Sequence, residues 1–275
     1  MSAPATAVRD RPDAGREPGI GSRLGWGVSD TVVLTRRNLV KYVRIPESLF
    51  FSSVQPVMFV LLFRYVFGGA IRTPGVSYVN YLIPGIFVQT MAFGAVNTSI
   101  GLAEDLQKGI IERFRALPMA RSSVLTARTL ADLLRNVVVA VLIAAVGFAV
   151  GFRIETNVLA FLAGVGLILV FAYALSWGFA VIGLFAPNSE TAQVMSFPVL
   201  FPLTFASSAF VPVQSMPSWL RGFASHQPVS VVVDAARALM VGGPTTSLVW
   251  QSVAWSVGIV LVLAPLAVHR YRTST

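Results

Sequence analysis

The sequence predicts an all-α integral membrane protein with six transmembrane helices, and three observations predict it. Apolar residues make up 55% of the 275 residues, and only 12% are charged, about half the share of a soluble domain. Mean hydropathy is +0.72. The basic residues fall in bands between long apolar runs. Such a chain cannot keep its surface wet as a globule, and it is too apolar for disorder. The absence of Cys excludes disulfides, iron–sulfur clusters, thiolate zinc sites and Cys nucleophiles. Two isolated histidines, His226 and His269, exclude a multi-histidine metal site within one chain. A net charge of +9 would suit nucleic acid, but its banding argues against that partner and for a lipid bilayer.

A spanning helix needs about 20 mostly apolar residues. The runs that qualify are 49–70, 78–103, 137–152, 158–185, 194–213 and 248–268. The third is short. Counting basic residues by side gives 16 against 4, with Arg64 inside the first span. By the positive-inside rule both termini are expected in the cytoplasm, as an even number of spans requires. The expected location is a bacterial plasma (inner) membrane. Residues 1–30 have no apolar signal core and read as a disordered cytoplasmic tail. Residues 31–270 read as one membrane domain.

Three segments are neither span nor plain loop. In Thr31 to Arg44, Val32, Leu39 and Val43 form an apolar stripe opposite Arg37, Lys41 and Arg44. That pattern predicts an interfacial helix on the cytoplasmic leaflet, the alternative being a basic stop signal of no special shape. In Glu104 to Arg121, Leu106, Ile110, Phe114 and Leu117 share one stripe. Lys108, Glu112 and Arg115 lie opposite, Arg113 lies on the flank, and the helix must end before Pro118. This charged face either meets a partner or is simply solvated. The bare Gly109 would let a partner approach closely. In Met216 to Gly243, two short helices are expected on the outer side, the second starting at Pro228 and stopping at Gly242-Gly243. They are too short to span and are expected to dip part-way into the outer leaflet. Asp234 and Arg237, three residues apart, are placed to pair.

No Lys is followed by Ser or Thr, so these residues contain no P-loop and no ATP hydrolysis is expected of them. The spans contain no acidic residue, which counts against a proton relay. Arg64 reads as a side chain snorkelling from near the outer end of its span, with a role in a substrate path as the alternative. Pro198 and Pro202 fall in a fifth span rich in Phe.

The stretch from Gly109 to Arg121, GIIERFRALPMAR, and the stretch from Gln227 to Arg237, QPVSVVVDAAR, resemble the permease subunits of type-2 ABC exporters. The likeness is strongest to the daunorubicin-resistance type of drug efflux permease. It covers about residues 30 to 270, including the helix before the first span. It implies that Lys108, Gly109, Glu112, Arg113 and Arg115 sit on or beside a cytoplasmic coupling helix that docks on a separate ABC ATPase subunit. It implies an outer helix hairpin before the last span and a second copy of the permease. ATP and Mg²⁺ would bind the ATPase, with no cofactor in this chain. An amphipathic drug-like natural product or a lipid would be exported. A polysaccharide or glycolipid precursor is the alternative substrate, and a non-transporting assembly protein or a proton-driven transporter the alternative class. The expected lining is Phe87, Gln89, Met91, Asn97, Met195, Phe197 and Phe201, all of which would equally serve as packing residues.

Overall fold

The computed structural model describes residues 31, 33–36, 46–71, 73, 75–109 and 121–273. Among these the secondary structure is helical, with no strand. The helices are α1 Pro46–Leu62, α2 Tyr78–Gln107, α3 Arg121–Ala149, α4 Val158–Phe185, α5 Ser189–Phe205, α6 Ser218–His226, α7 Pro228–Val241 and α8 Thr246–Thr273. A π-helical turn, Phe63–Phe67, extends α1, and a 3₁₀ turn, Val213–Ser215, precedes α6. The helix starts are written locally in the sequence. Ser77, Asn157 and Asn188 each accept a backbone N–H three residues on. Pro228 occupies the first turn of α7, where its missing N–H costs nothing.

Helices α2, α3, α4 and α8 are long and apolar enough to cross a membrane. In α2, 83% of the most apolar window is buried inside the protein, against 17% in α8. So α2 is the central post and α8 faces outward. Helix α4 packs most extensively on α2 and α8, and the main core joins α1 to α5 with α7. At the α2–α4 crossing, a Cβ on Gly183 would fall 2.5 Å from the backbone oxygen of Ser99. Only glycine permits that approach.

Several sequence expectations change here. The third span is not short: α3 begins at Arg121, so Arg128 and Arg135 lie inside a helix rather than in a loop. Without Arg121, Arg128 and Arg135, all within α3, the basic count becomes 13 to 4, still in the same direction. Asp132 also lies within α3 and is fully buried, contrary to the expectation of acid-free spans. The fifth apolar run, expected to stay helical to 213, leaves the helix after Phe205. At 17 residues α5 is about 26 Å long, short of a bilayer core of about 30 Å.

The non-helical continuation is tolerated because protein groups satisfy its backbone. Gln227 Nε2 donates to Leu203 O in the last turn of α5 at 2.9 Å and to Ala206 O in the continuation at 3.3 Å. Tyr81 Oη donates to Ser208 O at 2.9 Å, and Ser208 N donates to Ser230 Oγ at 3.1 Å. Irregular backbone at membrane depth survives only with such partners.

The two expected short helices exist as α6 and α7, and α7 is covered by protein. Val229 to Val233, Ala235, Ala236, Ala238, Met240 and Val241 are all buried, against α4, α2 and α8. Periodicity alone could not separate burial in protein from burial in lipid. Arg64 is half-buried in the π turn, with its guanidinium 5.7 Å from the Tyr65 ring.

Candidate functional site

The apolar bundle holds one notable cleft, of about 330 Å³, between α1, α2, α3 and α5. Helix α1 contributes Gln55, Pro56 and Phe59. Helix α2 contributes a face from Gln89 to Ile100, including Phe93 and Asn97. Helix α3 adds Arg135, Asn136 and Val139, and α5 adds Gln193 and Phe197. Asn97 and Gln193 are exposed at the rim. Gln89 and Asn136 form a floor, each 2% exposed. Arg135 Nη2 donates to Gly94 O at 2.8 Å and to Asn136 Oδ1 at 3.3 Å. Among the described residues, buried Gln89 Oε1 and Asn136 Nδ2 find no hydrogen-bond partner. Buried polar groups are normally satisfied, and leaving one unmade costs about 1–3 kcal/mol.

Of the expected lining, Gln89, Asn97 and Phe197 meet at this cleft. Phe87 and Met91, at 0% and 1% exposed, belong to the core instead. They sit on turns of α2 that face inward, a distinction the weak amphipathicity of that helix hides. Met195 is exposed and lies outside the cleft lining. Phe201 lies just beyond the cleft, with its ring 5.4 Å from Phe197 and 6.0 Å from Phe93. From there the rings continue through Phe205 at 5.3 Å and Phe210 at 5.4 Å to Phe63 at 4.5 Å. Spacings of this size are those of interacting aromatic pairs. The ladder joins the cleft to the end of α1 bearing the π turn. Sequence reading missed Arg135 and Asn136 because it placed both at the edge of a loop; a polar pair one residue before a long apolar run was the available signal.

A charged cluster fastens α2 to α3 beside the cleft. Arg128 Nη1 lies 3.3 Å from Asp105 Oδ2, and its Nε lies 3.8 Å from Asp132 Oδ2. Arg128 Nη2 donates to Asn97 O at 3.3 Å, so the same guanidinium touches a rim residue's backbone. Thr98 Oγ1 donates to Asp132 Oδ2 at 2.5 Å. One helical turn further along α2, Lys108 pairs with Glu104. That hydrogen bond, with the carboxylate charge, holds the exposed Lys108 ammonium above its usual pKa. Gly109 has φ +63° and donates its N–H to Leu106 O at 3.0 Å. Its glycine is therefore explained by the left-handed end of α2. The expected docking residues Glu112, Arg113 and Arg115 lie outside the described residues, as do Arg37, Lys41 and Arg44. Of the segment before the first span, Leu34 is buried and Thr35 Oγ1 donates to Ala127 O at 3.4 Å.

A second cluster lies at the opposite end of α2. Arg237 Nη1 pairs with Asp234 Oδ1 at 2.6 Å, as the spacing predicted. The guanidinium also donates to Tyr81 O at 3.1 Å and Ser208 O at 2.8 Å, and sits 3.7 Å from the Tyr81 ring centre. It ties α7, α2 and the irregular segment after α5 together.

Four helices long and apolar enough to cross a membrane, packed with a polar-floored cleft among them, mark a multi-pass membrane protein. The chain belongs to the ABC-2 type transporter family, whose profile matches residues 29–241. It is 33% identical over 245 residues to the daunorubicin resistance ABC transporter permease protein DrrB1 of Streptomyces coeruleorubidus, covering 89% of this chain and 87% of that one. It is 27% identical over 262 residues to the probable doxorubicin resistance ABC transporter permease protein DrrC of Mycobacterium tuberculosis, covering 94% and 95%. A putative transport permease, ycf38, of Cyanophora paradoxa is 24% identical over 223 residues, covering 77% and 74%. The chain is thus an ABC permease related to drug-resistance permeases, a transport component in kind.

Proposed function

We propose that this chain is the membrane-spanning subunit of an ATP-driven exporter that moves an amphipathic drug-like natural product or lipid outward. The cleft carries the reading: amide and guanidinium groups on its floor, phenyl rings on its walls, and an aromatic ladder leaving it. A ligand with a polar end and an apolar body matches those surfaces. The ladder offers its apolar part continuous contact toward the α1–α2 turn. Energy comes from a separate ABC ATPase holding ATP and Mg²⁺, because no P-loop lies in these residues. The ATPase docks on the segment after Gly109 at the cytoplasmic end of α2, through Lys108, Glu112, Arg113 and Arg115. Movement there reaches the cleft through Arg128, which contacts both Asp105 and the backbone of Asn97.

The chain makes six crossings of a bacterial plasma membrane on this reading, and the basic bands support both termini in the cytoplasm. In that layout α1 with its π turn, and α5 with its irregular continuation, complete the set. Two copies pair around a two-fold axis, which suits two equivalent ATPase sites. The test is to purify the chain with its co-expressed ATPase and reconstitute it into vesicles. ATP-dependent movement of an amphipathic dye away from the ATPase side is expected. ATP hydrolysis by the isolated chain, or hydrolysis by the complex without dye movement, would overturn the reading.

A further inference from the structure

The floor of the cleft makes a more specific demand than amphipathicity. Asn136 and Gln89 are both 2% exposed and both line the cleft. Asn136 Oδ1 accepts from Arg135, which fixes its amide so that Nδ2 is left as a donor. Gln89 Oε1 is left as an acceptor. One unpartnered donor and one unpartnered acceptor thus belong to residues of neighbouring helices that line the same cleft. No residue lining the cleft is acidic. The walls are Phe59, Phe93 and Phe197.

We infer that the cleft is a two-point hydrogen-bonding subsite. It takes a group that accepts from Asn136 Nδ2 and donates an N–H or O–H to Gln89 Oε1, on a flat apolar body held between the phenyl walls. A carboxamide or a hydroxy-carbonyl supplies both atoms; a simple ketone, a tertiary amide or an ammonium supplies only one. The selectivity comes from the protein's own unmade bonds. A ligand lacking one partner leaves a buried group unsatisfied, a far larger penalty than a missing apolar contact. A volume of about 330 Å³ lies in the range of small-molecule pockets and admits a two-ring body. The same reasoning makes the floor a stability cost held for function. Replacing Gln89 by an apolar residue of similar size removes an unsatisfied oxygen from the interior.

This inference rests on the permease reading, so the experiment separates the two. Naphthalene-2-carboxamide and 2-acetonaphthalene share a shape but differ in the N–H donor. Their binding to the purified permease–ATPase complex in detergent is measured by calorimetry, with empty micelles as the blank. The carboxamide is expected to bind about tenfold more tightly to the wild type. In Gln89→Leu the preference is expected to fall to about one, while the thermal midpoint stays level or rises. Equal binding of the two probes by the wild type overturns the subsite. So does a preference that survives intact in Gln89→Leu. Should that variant not fold, Gln89→Met takes its place, and the wild-type comparison decides by itself. Selective binding without ATP-driven movement of the carboxamide would leave the subsite standing and sink the exporter reading. Movement of both probes at equal efficiency, with no binding preference, would do the reverse.

Discussion

Arg128→Met tests the joint between the end of α2 and the cleft. Arg128 faces two carboxylates, Asp105 at 3.3 Å and Asp132 at 3.8 Å. Asp105 is 18% exposed and recovers water when the guanidinium goes; Asp132 is 0% exposed and does not. Breaking a buried pair by deleting one partner costs about 3–5 kcal/mol. The 3.8 Å contact is longer than a hydrogen bond, and Thr98 still donates to Asp132, so the loss belongs at the low end, about 3 kcal/mol. In a chain of this size that corresponds to a fall in thermal midpoint of roughly 6–12 °C. Asp132→Asn in the Arg128→Met background removes the carboxylate charge and keeps an acceptor for Thr98. About half of the loss should return. The assay is tryptophan-monitored thermal unfolding in detergent for the wild type, both single variants and the double. A midpoint for Arg128→Met within 2 °C or so of wild type, or losses that simply add in the double, would refute the claim that Arg128 fastens α2 to α3 through Asp105 and Asp132.

Gly183→Val should lower abundance and thermal midpoint by overpacking worth about 1–3 kcal/mol, because the new Cβ meets the Ser99 backbone at 2.5 Å; normal membrane abundance and stability would contradict the close crossing. Arg237→Leu leaves the carbonyls of Tyr81 and Ser208 without their donor, while Asp234, 36% exposed and still accepting from Ser208 Oγ, recovers water, so a loss of about 1–3 kcal/mol is expected by the same unfolding measurement, with Arg237→Lys recovering only part. Glu112→Arg should abolish ATPase co-purification and transport while the permease still inserts; full transport by that variant would remove the docking role from this face. A single Cys placed between residues 102 and 109 of this Cys-free chain should resist an impermeant reagent added from outside, and labelling there would overturn the orientation.

The sequence by itself determined the solvent and the class of fold. Long apolar runs leave helices as the structure that satisfies each backbone group within its own segment. Pro228 at the start of α7 was legible from the sequence; the caps at Ser77, Asn157 and Asn188 are equally local chemistry, but the hydropathy reading did not single them out. The Asp234–Arg237 pair was legible because three residues of helix bring those side chains together. So was the family, from two stretches flanking the spans.

Tertiary structure decided whatever depended on what surrounds a helix. Arg128, Asp132 and Arg135 read as loop residues because charges end a hydropathy window. They lie inside α3 because α2 supplies carboxylate, hydroxyl and carbonyl partners from positions far away in the chain. The fifth run looked helical to 213, but Gln227, Ser230 and Tyr81 provide the bonds that let its end unwind. Helix α7 was apolar on either reading, and only its neighbours show that protein, rather than lipid, covers it. The cleft illustrates the same limit. Gln89 and Phe87 differ by two positions on one helix, and whether each faces space or core depends on where α1, α3 and α5 stand. Apolar periodicity reports which residues avoid water; in a membrane protein it cannot report which of two dry surroundings receives them.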